Sequence, residues 1–195
     1  EWFSRMRFIV LRIMVPKNNE KSPLAAEQMF AALHGIYKAE LLYQEYISFE
    51  IAARDKYLQF YVCIPTHLKD FVQGQIYAQY PTAEIVEVDD YTMDETERIK
   101  TGELKICGAD LNLINNEVYP IKTFLNFEVD PLSAITSVMS KVDRDEQIWL
   151  QLIVKPVADS WQKKSIGHIK STKTGGNGPS FFSEATGVFT RAITS

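Results

Sequence analysis

The 195-residue chain contains two cysteines, Cys63 and Cys107. That excludes a disulfide framework and a four-cysteine zinc site. Its three histidines, His34, His67 and His168, share no helix face with one another, a cysteine or a carboxylate at metal-ligand spacing, so no metal site is expected. No run approaches the ~18 apolar residues of a spanning helix, and no charged-then-apolar leader pattern is present. Positive charge is not in excess either. Twenty-one basic residues against twenty-five acidic ones give a net charge of −4, which argues against the whole chain being a nucleic-acid surface but leaves room for a local patch. A nucleophile elbow and the kinase and hydrolase signatures are missing too. No catalytic residue and no cofactor are therefore expected, and the chain reads as non-enzymatic.

What is there belongs to an ordinary folded protein: 46% hydrophobic and 24% charged residues, in a length of about 1.3 average domains. Phe8 to Val15 alternates as a strand, with Ile9, Leu11, Ile13 and Val15 on one face. Ser22 and Pro23 then suit the N-cap and first position of a helix whose stripe is Ala26, Met29, Phe30, Leu33 and Tyr37, with Gly35 as a stop. Tyr46 to Arg54 and Tyr57 to Ile64 alternate as two strands joined by the short polar link Arg54-Asp55-Lys56, a hairpin pattern. Pro65-Thr66 opens a second helix carrying Leu68, Phe71, Val72 and Ile76, which stops before Pro81. Glu84 to Asp89 supplies a strand with Val86 and Val88 inward. The order β-α-β-β-α-β predicts an α+β, ferredoxin-like module: an antiparallel sheet with both helices on one face.

The second half repeats part of this pattern. Tyr91 to Gly102 is polar and reads as a linker or a short exposed helix, its paired carboxylates (Asp89-Asp90, Asp94-Glu95) solvated. Leu104 to Cys107, Leu111 to Ile114 and Val118 to Phe124 are strand-like, and both cysteines fall in strand patterns, where buried inert thiols are the default. Asp130-Pro131-Leu132-Ser133-Ala134 echoes Ser22-Pro23-Leu24-Ala25-Ala26 as a helix start, with Leu132, Ile135, Val138, Met139 and Val142 as its stripe. Gln147 to Lys155 is a strong strand, with Trp149 on the face opposite Ile148 and Leu150. Three regions are expected: a ferredoxin-like module over 1–93, a second, partial βαβ-type module over 94–164 and related to the first by diverged duplication, and a glycine-rich loop with the C-terminal segment over 165–195. Trp161-Gln162-Lys163-Lys164 begins a basic exposed helix.

The Thr174 to Ser180 stretch is glycine-rich but is not a phosphate loop, because no buried strand precedes it and no Lys-Ser/Thr follows it. The open sheet face is the more informative feature. Tyr57, Gln59 and Tyr61 project there beside Ser48 and Glu50. Two readings compete. RNA-recognition folds of this topology stack bases on such aromatics, but the Lys/Arg-Gly-aromatic run is absent here, the segment being Asp55-Lys56-Tyr57-Leu58. Alternatively the face packs on the second module and the tyrosines are interface aromatics; this is the preferred reading. The candidate interaction residues are Tyr57, Gln59, Tyr61 and Trp149.

Four stretches carry a family resemblance: Val15 through His34, Phe71 through Pro81, Tyr119-Pro120-Ile121-Lys122-Thr123-Phe124, and Asp130-Pro131-Leu132 through Trp161-Gln162-Lys163-Lys164. Together they resemble the membrane-proximal domain of large proteins of candidate-phyla bacteria, over residues 1 to about 164. The resemblance implies a membrane segment ahead of the domain, and a DNA-pumping ATPase of the conjugative-transfer or type IV secretion class following it or encoded alongside. The chain's start at Glu1 rather than Met reads as a piece of a longer protein; Trp2 and Phe3 amid basic residues resemble a membrane-edge segment, but the preferred reading is that they begin the first strand or cap the core. The implied role is a scaffold at the cytoplasmic face of the inner membrane, acting through protein partners or self-association. Single-stranded nucleic-acid binding is the disfavoured alternative, and an undetected enzyme would show a deep polar pocket.

Overall fold

The computed structural model describes residues 6–174 apart from 42, 117 and 120. Alternation of apolar side chains sets β1 (Phe8–Met14). In α1 (Pro23–Leu33), Pro23 occupies the first helical position after an extended Ser22. The Ser22 side chain makes no capping bond; its carbonyl accepts from the Ala25 N–H at 3.0 Å instead. The buried stripe of α1 is Ala25, Met29 and Leu33, and a 3₁₀ turn over His34–Ile36 ends it.

β2 (Ile47–Arg54) and β3 (Tyr57–Pro65) form the expected hairpin, closed at the Arg54–Tyr57 pair. Its two linking residues, Asp55 and Lys56, both have positive φ, 50° and 69°. A two-residue turn that follows the right-handed twist of the strands requires that conformation, which favours Asn-Gly or Asp-Gly. A 3₁₀ turn over Thr66–Leu68 leads into α2 (Lys69–Gln79), and β4 (Glu84–Val88) follows.

The strands form one five-stranded sheet in the order β4-β1-β3-β2-β5, every neighbouring pair antiparallel. The period of two then sorts side chains between faces. Leu11, Ile47, Val62 and Ile64 turn to one face and pack with Met29, Leu33, Val72 and Ile76 of the two helices. Val10, Ala52, Tyr61 and Cys63 turn to the other.

Several expectations are corrected. β5 (Ile148–Val154), expected in a second module, pairs with β2 from Ile47–Val154 to Ala53–Ile148 and so extends the first sheet. Its alternating apolar residues match a sheet edge as well as they would a separate sheet. On β4 the register sets Ile85 opposite Ile13 and packs Ile85 into the helix-side core. Val88 packs on the opposite face with Val10 and Tyr61, so Val86 and Val88 do not point to the helices. The segments 104–107, 111–114 and 121–123 are not strands. Runs of about four residues broken by glycine or asparagine form too few ladder bonds to offset their ordering. A 3₁₀ turn covers Phe124–Asn126.

In α4 (Leu132–Met139), the Asp130 side chain accepts from the Leu132 N–H at 2.9 Å, as an N-terminal cap should. Of its expected stripe only Met139 and the following Val142 are buried, against Ala53, Ile148 and Leu150. Leu132, Ile135 and Val138 are exposed. A short helix α3 (Thr96–Lys100) lies within the polar segment after β4, and α5 (Ser160–Thr174) takes up the basic stretch. Chain contacts define two compact units. One comprises the described residues up to Cys107 with Phe127–Val157, the other Gly108–Asn126 with the described residues from Ala158. The glycine-rich loop beyond Thr174, and Trp2 and Phe3, lie outside the described residues.

Leu11 is fully buried, and its truncation leaves a cavity between sheet and helices. Leu11→Ala is expected to lower unfolding stability by about 3 kcal/mol in urea titrations. Lys56→Gly, which relieves the left-handed strain in the hairpin turn, is expected to raise it by about 0.5–1 kcal/mol.

Candidate functional site

The sheet face opposite the helices is built from β1, β2, β3 and β5 and carries an unusual share of polar side chains. Glu50, Arg54, Gln59, Tyr61 and Trp149 reach it because the antiparallel register puts Glu50 beside Tyr61 and Ala52 beside Trp149. The face is not open. Tyr91, three residues beyond β4, folds back over it and is 2% exposed. Its ring stacks on Tyr61 with centroids 4.6 Å apart and meets Trp149 edge-on at 5.6 Å. Arg54 sits 5.7 Å from the same ring centroid, a cation–π distance.

Burial would make the Glu50 carboxylate costly without a donor. The Tyr91 hydroxyl donates to Glu50 Oε2 at 2.6 Å and supplies one. Burial, and then the carboxylate's acceptance of that hydrogen bond and its charge, hold the Tyr91 hydroxyl well above the ordinary phenol range. Polar pairs tie down the rest of the 91–104 segment. Arg54 donates to Asp94 at 2.7 Å, Gln147 donates to Glu95 at 2.9 Å, and Trp149 Nε1 donates to Gln147 at 3.0 Å. Burial pulls the Arg54 guanidinium down, but the bond to Asp94 and its charge raise it on balance. Of the two carboxylates expected to be solvated, Asp94 is half exposed and also paired, while Glu95 is largely covered.

The four residues singled out from the sequence separate here. Tyr61 is buried under Tyr91. Its hydroxyl donates to Gln59. Trp149 borders the same cluster. Tyr57, at the hairpin turn, is 71% exposed. Base stacking of the RNA-recognition kind needs Tyr57 and Tyr61 uncovered together, and Tyr91 occupies the Tyr61 ring face. Pattern reading missed Tyr91; the available signal was an aromatic alone in an acidic stretch directly after a strand.

Elsewhere, His67 Nε2 lies 3.0 Å from the buried Glu45 carboxylate, with Lys38 at 3.5 Å. His34 places Nε2 3.1 Å from the Val157 carbonyl oxygen. Cys107 is exposed and outside any strand, contrary to expectation. Cys63 does lie in β3; burial, then the Glu50 and Asp90 charges, push its thiol up to about 11. Among the described residues no three His, Cys, Asp or Glu side chains gather closely enough to hold a metal ion. A shallow depression of about 270 Å³ is lined by loop residues Asn18, Asn19, Glu20, Lys21, Pro81 and Thr82.

Besides α4 and Tyr57 and Phe60 of β3, exposed apolar side chains include two further groups. In the irregular stretch after Cys107, Leu111, Leu113, Ile114, Ile121, Leu125 and Val129 are each more than 60% exposed. On the edge strand β5, Leu152 and Ile153 are 57% and 65% exposed, on opposite faces. Such surfaces mark contact sites for other macromolecules.

Two outcomes follow from the cluster. Tyr91→Phe leaves Glu50 without its donor and is expected to cost about 1–3 kcal/mol of stability. For the thiols, iodoacetamide near neutral pH is expected to label Cys107 and spare Cys63. The raised Cys63 and Tyr91 values mean that the folded state holds protons which the unfolded state releases first. Their contribution is therefore complete below pH 9 and is lost as pH rises above it, so the unfolding midpoint should fall through that alkaline range.

Among the described residues no helix is long and apolar enough to cross a membrane. No curated protein and no solved structure matches the chain. A family model described as a domain of unknown function, DUF8128, matches residues 9–176. That span takes in all of the five strands but Phe8, together with Tyr61 and Tyr91, and the chain belongs to the DUF8128 family.

Proposed function

We propose that the chain is a non-catalytic scaffold domain that works through protein–protein contacts. The observation that carries this reading is the set of large apolar side chains left at the surface on β5 and after Cys107. Folded monomers rarely leave so many uncovered without a partner. The sheet face that would hold a nucleic acid is instead capped from within by Tyr91, and the net charge of −4 gives phosphates little attraction.

The finer parts of the reading rest on pattern. The strand order β4-β1-β3-β2 with a helix in each crossover supports a ferredoxin-like unit extended by β5. The sequence resemblance supports a place at the cytoplasmic face of the inner membrane, in a conjugation-like or type IV secretion-like machine with a DNA-pumping ATPase.

The test uses the whole protein in cells that carry such an ATPase, with a photo-crosslinking phenylalanine at Leu113 or Ile121. Cross-links to machine components in the membrane fraction are expected from these positions and not from the charged surface position Glu97. Purified chain should also fail to retain a single-stranded oligonucleotide at about 150 mM salt. Retention that Tyr57→Ala abolishes would replace the scaffold reading with nucleic-acid binding.

A further inference from the structure

We infer that β5 is a self-pairing edge and that the chain dimerises by joining two sheets, β5 against β5, around a two-fold axis at Gln151. The inference rests on the reading that the chain acts through protein contacts, and it names the partner at one of its surfaces as a second copy.

The two ends of the sheet differ in kind. β4 has five residues, two of them glutamates, Glu84 and Glu87. Charge and shortness are the devices by which edges resist pairing. β5 has seven residues, Ile-Trp-Leu-Gln-Leu-Ile-Val, with no charge, proline or glycine. It is hydrogen-bonded to β2 and stands at the end of the strand order, so its outer backbone groups have no strand partner among the described residues. Leu152 and Ile153 are more than half exposed there. Left uncovered, such an edge invites association.

The order of side chains selects the occupant. About Gln151 the strand is an apolar palindrome. An antiparallel two-fold partner sets Ile148 against Val154, Trp149 against Ile153, and Leu150 against Leu152, with Gln151 facing its own copy. This register pairs the whole strand. Paired residues share a face, as an antiparallel ladder requires. Each exposed side chain also gains a neighbour that is already half-buried: Leu152 meets Leu150, which packs beside Met139 and Val142, and Ile153 meets Trp149 of the Tyr91 cluster. Each Gln151 side chain also hydrogen-bonds the Tyr91 hydroxyl of its own chain, so the facing glutamines meet with only part of their donor and acceptor capacity free.

Charge at the strand ends points the same way. Asp143, Asp145 and Glu146, against Arg144, precede β5, and Lys155 follows it. Antiparallel pairing brings the acidic end of one copy beside Lys155 of the other. A parallel partner would set like charge against like.

The test is sedimentation of the full chain at about 100 μM, well above the micromolar range. A two-chain mass is expected, and Ile153→Lys should weaken association by about tenfold or more while circular dichroism stays unchanged. Gln151→Cys in a Cys107→Ser background should form a reducible covalent dimer, because facing residues of an antiparallel pair lie about 4.5–5.5 Å apart at Cα, within disulfide range. Ile114→Cys in the same background should not. A chain that sediments as a monomer overturns the proposal, as does a dimer that survives Ile153→Lys without a Gln151→Cys cross-link. A monomer that still cross-links to machine components from Leu113 overturns the self-pairing alone and leaves the scaffold reading in place.

Discussion

β3 is the constraint on which the rest of the molecule depends. It sits at the centre of the sheet between β1 and β2, and its alternation serves both faces. Val62 and Ile64 turn toward α1 and α2 and are 1% and 0% exposed. Tyr61 and Cys63 turn toward Tyr91. Because the side-chain period is two, a one-residue slip in the pairing of β3 would exchange these sets. Hydrocarbon would then meet the Glu50 side, and tyrosine the helices. Both layers thus hold the same register.

That shared register explains why the polar face is closed from within. A carboxylate at Glu50 in mid-sheet needs a donor once it is covered, and a tyrosine hydroxyl with a large apolar ring supplies the donor and the cover together. Arg54 and Asp94, then Glu95 and Gln147, fasten the segment that carries that tyrosine. The result is a sheet whose centre is covered on both faces, while Tyr57, Leu152 and Ile153 nearer its ends stay exposed.

Legibility in the sequence varied by element for physical reasons. The strands up to β4 are readable to within a residue or two and the helices to within about one turn, because each is long enough for its period to show and Pro23, Pro65 and Pro81 mark boundaries. The Asp55-Lys56 turn was readable from its length, though its positive φ values fall on residues that do not advertise them. Short apolar runs between 104 and 123 looked like strands because alternation over about four residues is weak information. The α4 stripe is legible as one apolar line, yet only its C-terminal turn meets the sheet.

Local pattern and composition by themselves determined the α+β class, the order of the first six elements and which residues of most strands share a face. These are properties of neighbours along the chain, where propensity and period act. Tertiary structure alone decided that β5 joins the first sheet beside β2, that Tyr91 stacks on Tyr61 and donates to Glu50, and that the half-exposed Asp94 pairs with Arg54. Each of these joins residues some thirty to a hundred positions apart, and their pairing depends on which surfaces remain unsatisfied after the nearer elements have packed.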